Sequence, residues 1–310
     1  MKQDFLTLKN LSHQDAQNLV ALAIDINKNF GKYRNKFVDK TVGIYFKAPS
    51  TRTRTAFTVG AQKLGAAVIA YGPSDLQINT GETLHDTGRV LANFLDALVV
   101  RSNEKIDDMQ ALASQDSMAV INAMSDFEHP SQVVGDMVAI DEALGKYQNI
   151  HIAYYGEGNN TTTALALMAS KLGNIHLSLF TPKDYSLPLE FLSDCQKIAA
   201  QNNSKIEQFF DAKIIPQNVD VVYTTRWETM GVKRADPKWK DAFVPFQVNQ
   251  KLLDQIIAAS KNKIIFMHDL PAVRGGDTDS EVLDGKNSIA FEQAYHKLTG
   301  AMAVYNWIWR

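Results

Sequence analysis

The residues best suited to chemistry stand together in Pro49-Ser50-Thr51-Arg52-Thr53-Arg54-Thr55. Pro49 ends an extended segment, and Ser and Thr hydroxyls are N-cap material for a helix carrying Phe57 and Leu64. Hydroxyls, backbone N–H groups at the positive end of that helix and two guanidinium groups would together receive a phosphate dianion. A well-capped helix with solvated arginines is the plainer account of the same residues. Two further groups share this half of the chain. Arg101 closes the apolar run Leu98-Val99-Val100, and His129-Pro130-Ser131-Gln132 opens a helix. Pro130 biases His129 away from helical backbone, so its imidazole can project from the helix start, and Gln132 can face the same cavity. A charged strand end or a lone histidine is usually structural. Groups suited to phosphate and carbonyl oxygens recurring at strand ends favour one shared site.

The second half carries Gly156-Glu157-Gly158-Asn159-Asn160-Thr161, which has the glycines of a dinucleotide fingerprint but Thr161 in place of the third. It also carries Thr224-Thr225-Arg226-Trp227-Glu228-Thr229-Met230-Gly231 and Met267-His268-Asp269-Leu270-Pro271. Arg226 could hold a carboxylate, and Asp269 could hold an amine or accept its proton. A surface ion pair is the alternative for each.

These residues need a scaffold that presents strand ends. Apolar runs at 42–46, 67–71, 97–101, 119–122, 150–155, 176–180, 219–224 and 264–268 predict strands, mostly continuous rather than alternating, as in sheets covered on both faces. Between them, helical periodicity covers 13–30, 53–64, 83–95, 106–115, 131–144, 161–172, 188–202 and 249–260, with a last helix at 288–308. The alternation predicts α/β architecture with parallel sheets. A barrel is the competing arrangement. The helix 131–144, stopped by Gly145, divides the strands four and four, which favours two open parallel-sheet α/β domains joined by a helix. A chain of 310 residues is long enough for two such cores. The tail from Val304 to Arg310 carries two tryptophans and is expected to pack.

Composition narrows the function. With 32 Lys+Arg against 34 Asp+Glu, no basic surface for nucleic acid is expected. The single cysteine, Cys195, excludes internal disulfides and cysteine-based metal sites. No apolar run approaches the roughly 18 residues of a membrane span, and the start Met1-Lys2-Gln3-Asp4 lacks a signal-peptide core. A soluble cytoplasmic enzyme is the expectation.

Taken in order, Ser50-Thr51-Arg52-Thr53-Arg54, Arg101, His129-Pro130-Ser131-Gln132 and His268-x-Leu270-Pro271 resemble the motifs of the aspartate/ornithine carbamoyltransferase family over essentially the whole chain. Gly158-Asn159-Asn160 and Trp227-x-Thr229-Met230-Gly231 look closer to the ornithine branch. The resemblance implies a carbamoyl-phosphate domain over 1–130, a linking helix over 131–146, an amino-acid domain over 147–287, and a C-terminal helix, 288–310, returning to the first domain. It also implies a homotrimer with active sites at subunit interfaces, no metal and no organic cofactor. By the same resemblance Ser50, Thr51, Arg52 and Thr53 would hold phosphate. Arg101, His129 and Gln132 would hold and polarise the carbamoyl group, and Lys297 stands for the family's C-terminal arginine. Asn159, Asn160, Thr225, Arg226, Thr229, Met230, His268, Asp269 and Leu270 would face the acceptor, with Arg52, Arg101, His129 and Asp269 as the catalytic set. The acceptor motifs depart from the ornithine pattern: Thr225 stands where aspartate is usual, and Asp269 where cysteine is usual. The basic residue usual on the loop before Glu82 has no clear counterpart in Gln77-Ile78-Asn79-Thr80-Gly81. Arg226 resembles the substrate-carboxylate arginine of the aspartate branch. Ornithine is the leading acceptor, Asp269 restoring the carboxylate lost at Thr225. Aspartate or a modified diamino acid, a non-catalytic phosphate binder and a nucleotide oxidoreductase are the rivals.

Overall fold

A computed structural model describes residues 2–228 and 234–310. It divides into two compact units, one of Met1–Asn10, Asn18–Val138 and His296–Arg310, the other of Leu11–Gln17 and Ala139–Tyr295. The elements run α1 (His13–Lys28), β1 (Thr41–Phe46), α2 (Arg52–Lys63), β2 (Ala67–Tyr71), α3 (Leu84–Leu91), β3 (Ala97–Arg101), α4 (Ile106–Leu112), β4 (Ala119–Met124) and α5 (Pro130–Leu144). They continue with β5 (Ile150–Tyr155), α6 (Asn160–Leu172), β6 (Ile175–Phe180), α7 (Leu189–Gln201), β7 (Lys205–Phe209), β8 (Val221–Thr224), α8 (Gln250–Ala258), β9 (Ile265–His268), α9 (Ser280–Leu283) and α10 (Ala290–Ile308). Two parallel-sheet α/β units result, as the alternation of runs predicts.

In the first unit the sheet order is β2-β1-β3-β4, every pair parallel. Strand order reverses beside β1, and ligands bind at such a switch point, beyond the carboxyl ends of the strands. Phe46 pairs with Arg101, and the register slips between Val100 and Arg101, so Arg101 faces Met124. The ends of β1, β3 and β4 therefore lie level. Strands β3 and β4 are buried along their whole length, whereas β2, at the sheet edge, is largely exposed. The predicted capping of α2 needs correction. Thr51 occupies the cap position with helical backbone and no capping bond from its side chain, and Ser50 Oγ accepts the Arg54 N–H instead, at 3.4 Å. Within the same unit Gly135 of α5 lies against the backbone of α10, where a Cβ would meet the His296 carbonyl oxygen at 2.6 Å. The tryptophan-bearing tail is packed: Trp307 is buried and Trp309 meets Phe37 edge-on, centroids 4.8 Å apart.

In the second unit the order is β7-β6-β5-β8-β9, again all parallel. The strands therefore divide four and five. The additional one, β7, reads Lys205-Ile206-Glu207-Gln208-Phe209, a half-exposed edge strand with no apolar run to betray it. Tyr155, Thr224 and His268 share a register row, so β5, β8 and β9 also end level. Helix α6 is buried throughout, and Asn159 starts it by accepting the N–H groups of Thr161 and Thr162 at 3.0 and 3.2 Å. Cys195 lies buried in α7.

Candidate active site

In the first unit the level strand ends place Ser50, Thr53 and Arg101 in contact. One guanidinium nitrogen of Arg101 donates to Ser50 Oγ at 3.2 Å and to Thr53 Oγ1 at 3.0 Å. Arg101 and Thr53 are both buried. Of the other two arginines, Arg54 turns back on the strand, donating to the Phe46 carbonyl at 3.2 Å and stacking over its ring. Arg52 stands half-buried at the start of α2, next to Thr51.

His129 is buried, and its basicity is pushed well below the ordinary histidine value, first by burial and then by the charges of Arg101 and Lys297. The imidazole is accordingly neutral, a hydrogen-bonding group rather than a cation. Gln132 donates its amide to Asp136 Oδ1 at 2.7 Å and accepts from Lys297, whose ammonium is buried with it. Lys297 thus joins His129 and Gln132 in this cluster. Two acidic residues have no sequence motif to mark them. Asp136 holds Gln132 from one turn along α5, and Glu128 ties the segment before His129 to the chain start, accepting from Thr7 Oγ1 at 2.5 Å and from the Leu8 N–H at 2.8 Å.

In the second unit a single carboxylate gathers three loops. Asp269 accepts from Thr225 Oγ1 at 2.8 Å on one oxygen and from Thr161 Oγ1 at 3.0 Å on the other. In the sequence Thr161 is merely the residue that spoils a glycine motif, and no local pattern points to its role. His268 and Leu270, expected beside the acceptor, are turned into the protein. His268 Nε2 meets Asp277 at 2.5 Å and its Nδ1 accepts the Leu270 N–H at 2.8 Å, which leaves both ring nitrogens occupied. Leu270, at φ +56°, packs on the core. The pair shapes the loop from which Asp269 emerges. Arg226 donates to Glu228 at 3.1 Å. Asn159 caps α6, and Asn160 is buried in its first turn. Thr229 and Met230 lie outside the described residues. Gly158 is packed against backbone, since a Cβ there would fall 2.4 Å from Leu187 N, and Glu157 beside it is buried and paired with Arg234. A loop so closed, carrying the Glu157 carboxylate where a diphosphate would need donors, does not suit a dinucleotide. Among the described residues no three His, Cys, Asp or Glu side chains group as a metal site.

Residues 3–142 match the aspartate/ornithine carbamoyltransferase carbamoyl-P binding domain, and residues 148–308 the Asp/Orn binding domain of the same proteins. The chain belongs to the aspartate/ornithine carbamoyltransferase family. As a carbamoyltransferase family member it is an enzyme, with one domain of the kind that binds carbamoyl phosphate and one of the kind that binds an amino acid. It is 36% identical over 304 residues to the ornithine carbamoyltransferase of Oceanobacillus iheyensis, covering 97% of this chain and 92% of that protein. It is likewise 36% identical over 297 residues to the catabolic ornithine carbamoyltransferase of Thermoplasma acidophilum, covering 96% and 95%. Among solved structures, the ornithine carbamoyltransferase of Pyrococcus furiosus superposes with a TM-score of 0.89 at 32% identity, covering 98% of this chain and 96% of that one.

Proposed function

We propose that this carbamoyltransferase moves the carbamoyl group of carbamoyl phosphate to the side-chain amine of ornithine, giving citrulline and phosphate. The observation that carries the reading is the buried Arg101 bound to Ser50 and Thr53, beside a His129 held neutral. Ser50, Thr51, Arg52 and Thr53 receive the phosphate. Arg101 and His129 direct donors at the carbamoyl oxygen, and Gln132 and Lys297 complete its surroundings. The neutral amine attacks the carbonyl carbon, an N–C bond forms, and negative charge collects on the oxygen. The bond from carbon to the phosphate oxygen then breaks, and phosphate leaves with the proton released by the amine. Donors already aimed at the oxyanion stabilise this intermediate without reorganising, an effect worth about 10²–10³ in rate for a single donor. Holding amine and carbonyl in contact supplies much of the remainder.

We assign donor binding to 1–130 with 288–310, and acceptor binding to 147–287 on either side of the linking helix 131–146. Ornithine is favoured by the names of the relatives and by Asp269, a carboxylate suited to a diamino acid. Arg226, which would favour an acidic acceptor, is engaged by Glu228. A homotrimer is part of the proposal. It is supported by the exposed apolar edge strand β2, with Ile69 43% exposed, and by Phe94 just after α3, 72% exposed. Cytoplasmic placement is proposed too, and among the described residues no helix is long and apolar enough to cross a membrane. The deciding experiment offers carbamoyl phosphate with ornithine, lysine, putrescine, shorter diamino acids and aspartate, and measures phosphate and ureido product. Citrulline from ornithine is the expected result. Ureido product from none of these amines overturns carbamoyl transfer, and product from aspartate alone overturns the choice of acceptor.

A further inference from the structure

We propose that Asp269 is the anchor for a cationic amine of the acceptor, and that Thr161 and Thr225 are positioning residues that aim its carboxylate. This deepens the carbamoyl-transfer reading above and rests on it for the identity of the reaction. The three residues come from the first turn of α6, the end of β8 and the end of β9, brought together because β5, β8 and β9 end level. Each threonine hydroxyl has one proton, and each gives it to a different oxygen of Asp269. The carboxylate is thereby fixed in rotation and tilt. A carboxylate accepts about four hydrogen bonds, so these two leave half its capacity open. The remaining neighbour, His268, lies 3.7 Å away with Nδ1 already accepting the Leu270 N–H, so it offers no proton there.

The Asp269 side chain is only 13% exposed, and among the described residues no lysine or arginine forms an ion pair with it. A carboxylate this far from water and lacking a cation is half of a charge pair. The missing half is an ammonium, which also makes the strong class of hydrogen bond to carboxylate oxygen. The site therefore selects diamino acids and diamines and repels a dicarboxylic acceptor such as aspartate, discrimination by an unfavourable charge as much as by a favourable one. Thr225 and Asp269 touch, so the position that lacks the aspartate usual in the ornithine branch and the position that has gained one supply a carboxylate to one place. The anchor has changed backbone, not neighbourhood.

The test compares wild-type protein with D269N, T161V, T225V, T161S and T225S. Two readouts are taken: calorimetric binding of ornithine, norvaline, putrescine and aspartate in the presence of inorganic phosphate, and steady-state citrulline formation. D269N is expected to weaken ornithine by about 10–100-fold, the value of a hydrogen bond to a charged group, while KM for carbamoyl phosphate stays within twofold. Each valine variant is expected to weaken ornithine by about 3–10-fold and each serine variant to restore it, since only serine keeps the donating hydroxyl. Norvaline lacks the side-chain amine of ornithine, and putrescine lacks only the carboxylate. Norvaline binding that ignores D269N places Asp269 against the side-chain amine, and norvaline binding that weakens with D269N places it against the α-amine. Putrescine, which keeps both amines, is expected to weaken in either case. Ornithine binding within twofold of wild type in D269N, or wild type preferring aspartate, overturns the anchor. If ornithine binds through Asp269 but no citrulline forms, the anchor stands and the reaction proposed above falls. Citrulline formation that is indifferent to all five substitutions overturns the anchor and leaves the reaction standing.

Discussion

Replacing Arg101 by methionine separates the catalytic and structural duties of one buried cation. Arg101 is 6% exposed, and its guanidinium donates to Ser50 at 3.2 Å and Thr53 at 3.0 Å. Methionine fills most of the volume and removes the charge. The hydroxyls left behind can turn to other partners, so the stability cost should be about 1–3 kcal/mol, read as a fall of several degrees in the unfolding midpoint. Loss of one donor to the oxyanion costs more where it matters, about 2.7–4 kcal/mol, or 10²–10³ in kcat.

The same substitution acts on His129. Burial is the first cause of its lowered basicity and the charge of Arg101 the second, ahead of Lys297. Removing the Arg101 charge moves the imidazole back toward its ordinary value, so at any given acidic pH more of it is protonated. The acid-side loss of activity should therefore begin at a higher pH in R101M than in wild type. R101K keeps the charge and should keep the wild-type acid profile while still losing rate, because an ammonium cannot reproduce the forked donor geometry. Citrulline formation at saturating ornithine across the pH range reads both effects. A kcat for R101M within tenfold of wild type would sink the oxyanion role. An acid profile unmoved in R101M would sink the electrostatic account of His129.

Two predictions concern the scaffold. His151 is held at about 4, far below the ordinary 6.5, first by burial and then by the charge of His176, whose ring stacks on it at 3.9 Å. Its folded form binds the proton less well than the unfolded chain, so stability is full above 6.5 and is lost as pH falls toward 4. At about 1.4 kcal/mol per tenfold, that window is worth about 3 kcal/mol. Urea unfolding at pH 7.5 and 4.5 should show H151Q losing at least 1.5 kcal/mol less than wild type over that interval, on the order of half the window, and equal losses would refute the assignment. In the first unit, G135A would bring a Cβ to 2.6 Å from the His296 carbonyl oxygen, beside Lys297. Forcing that contact apart should cost about 1–3 kcal/mol and raise KM for carbamoyl phosphate, while G31A, with nothing within 4 Å of the new methyl, should change neither.

The strands that carry function are readable because they are buried on both faces. The runs at β3, β4 and β5 leave no exposed position to interrupt them. Strand β7 escapes for the converse reason. At the sheet edge only Ile206 is fully buried, so Lys205, Glu207 and Gln208 dilute the pattern below recognition. The donor cluster is readable for a different reason again: Ser50, Thr53 and the start of α2 are neighbours in sequence, so one loop displays most of the site. What spacing alone does not show is how those groups are held. Glu128 reaches back 121 residues to Thr7, and Lys297 reaches Gln132 across 165.

The acceptor half resists reading because the group proposed as its anchor is built from a distance. Asp269 meets Thr225 across 44 residues and Thr161 across 108, and no window of sequence contains the three. A motif compares residue types at a position, so it records a carboxylate lost at Thr225 and another gained at Asp269. It supports the second restoring the first only as an expectation, without showing that the two side chains touch. The sheet reduces them to one. With Thr224 and His268 paired in register, the residues that follow are adjacent by construction, and a carboxylate carried by either backbone arrives at the same spot. What the reaction requires is a charge at a place, and parallel strands ending level offer more than one residue from which to supply it. A family can therefore exchange the residue and keep the chemistry, provided hydroxyls such as those of Thr161 and Thr225 aim the newcomer. On this account the altered acceptor motifs mark a changed route to an ammonium site rather than a changed reaction, and the contacts of Thr161 and Thr225 with Asp269, which no motif shows, are the evidence for it.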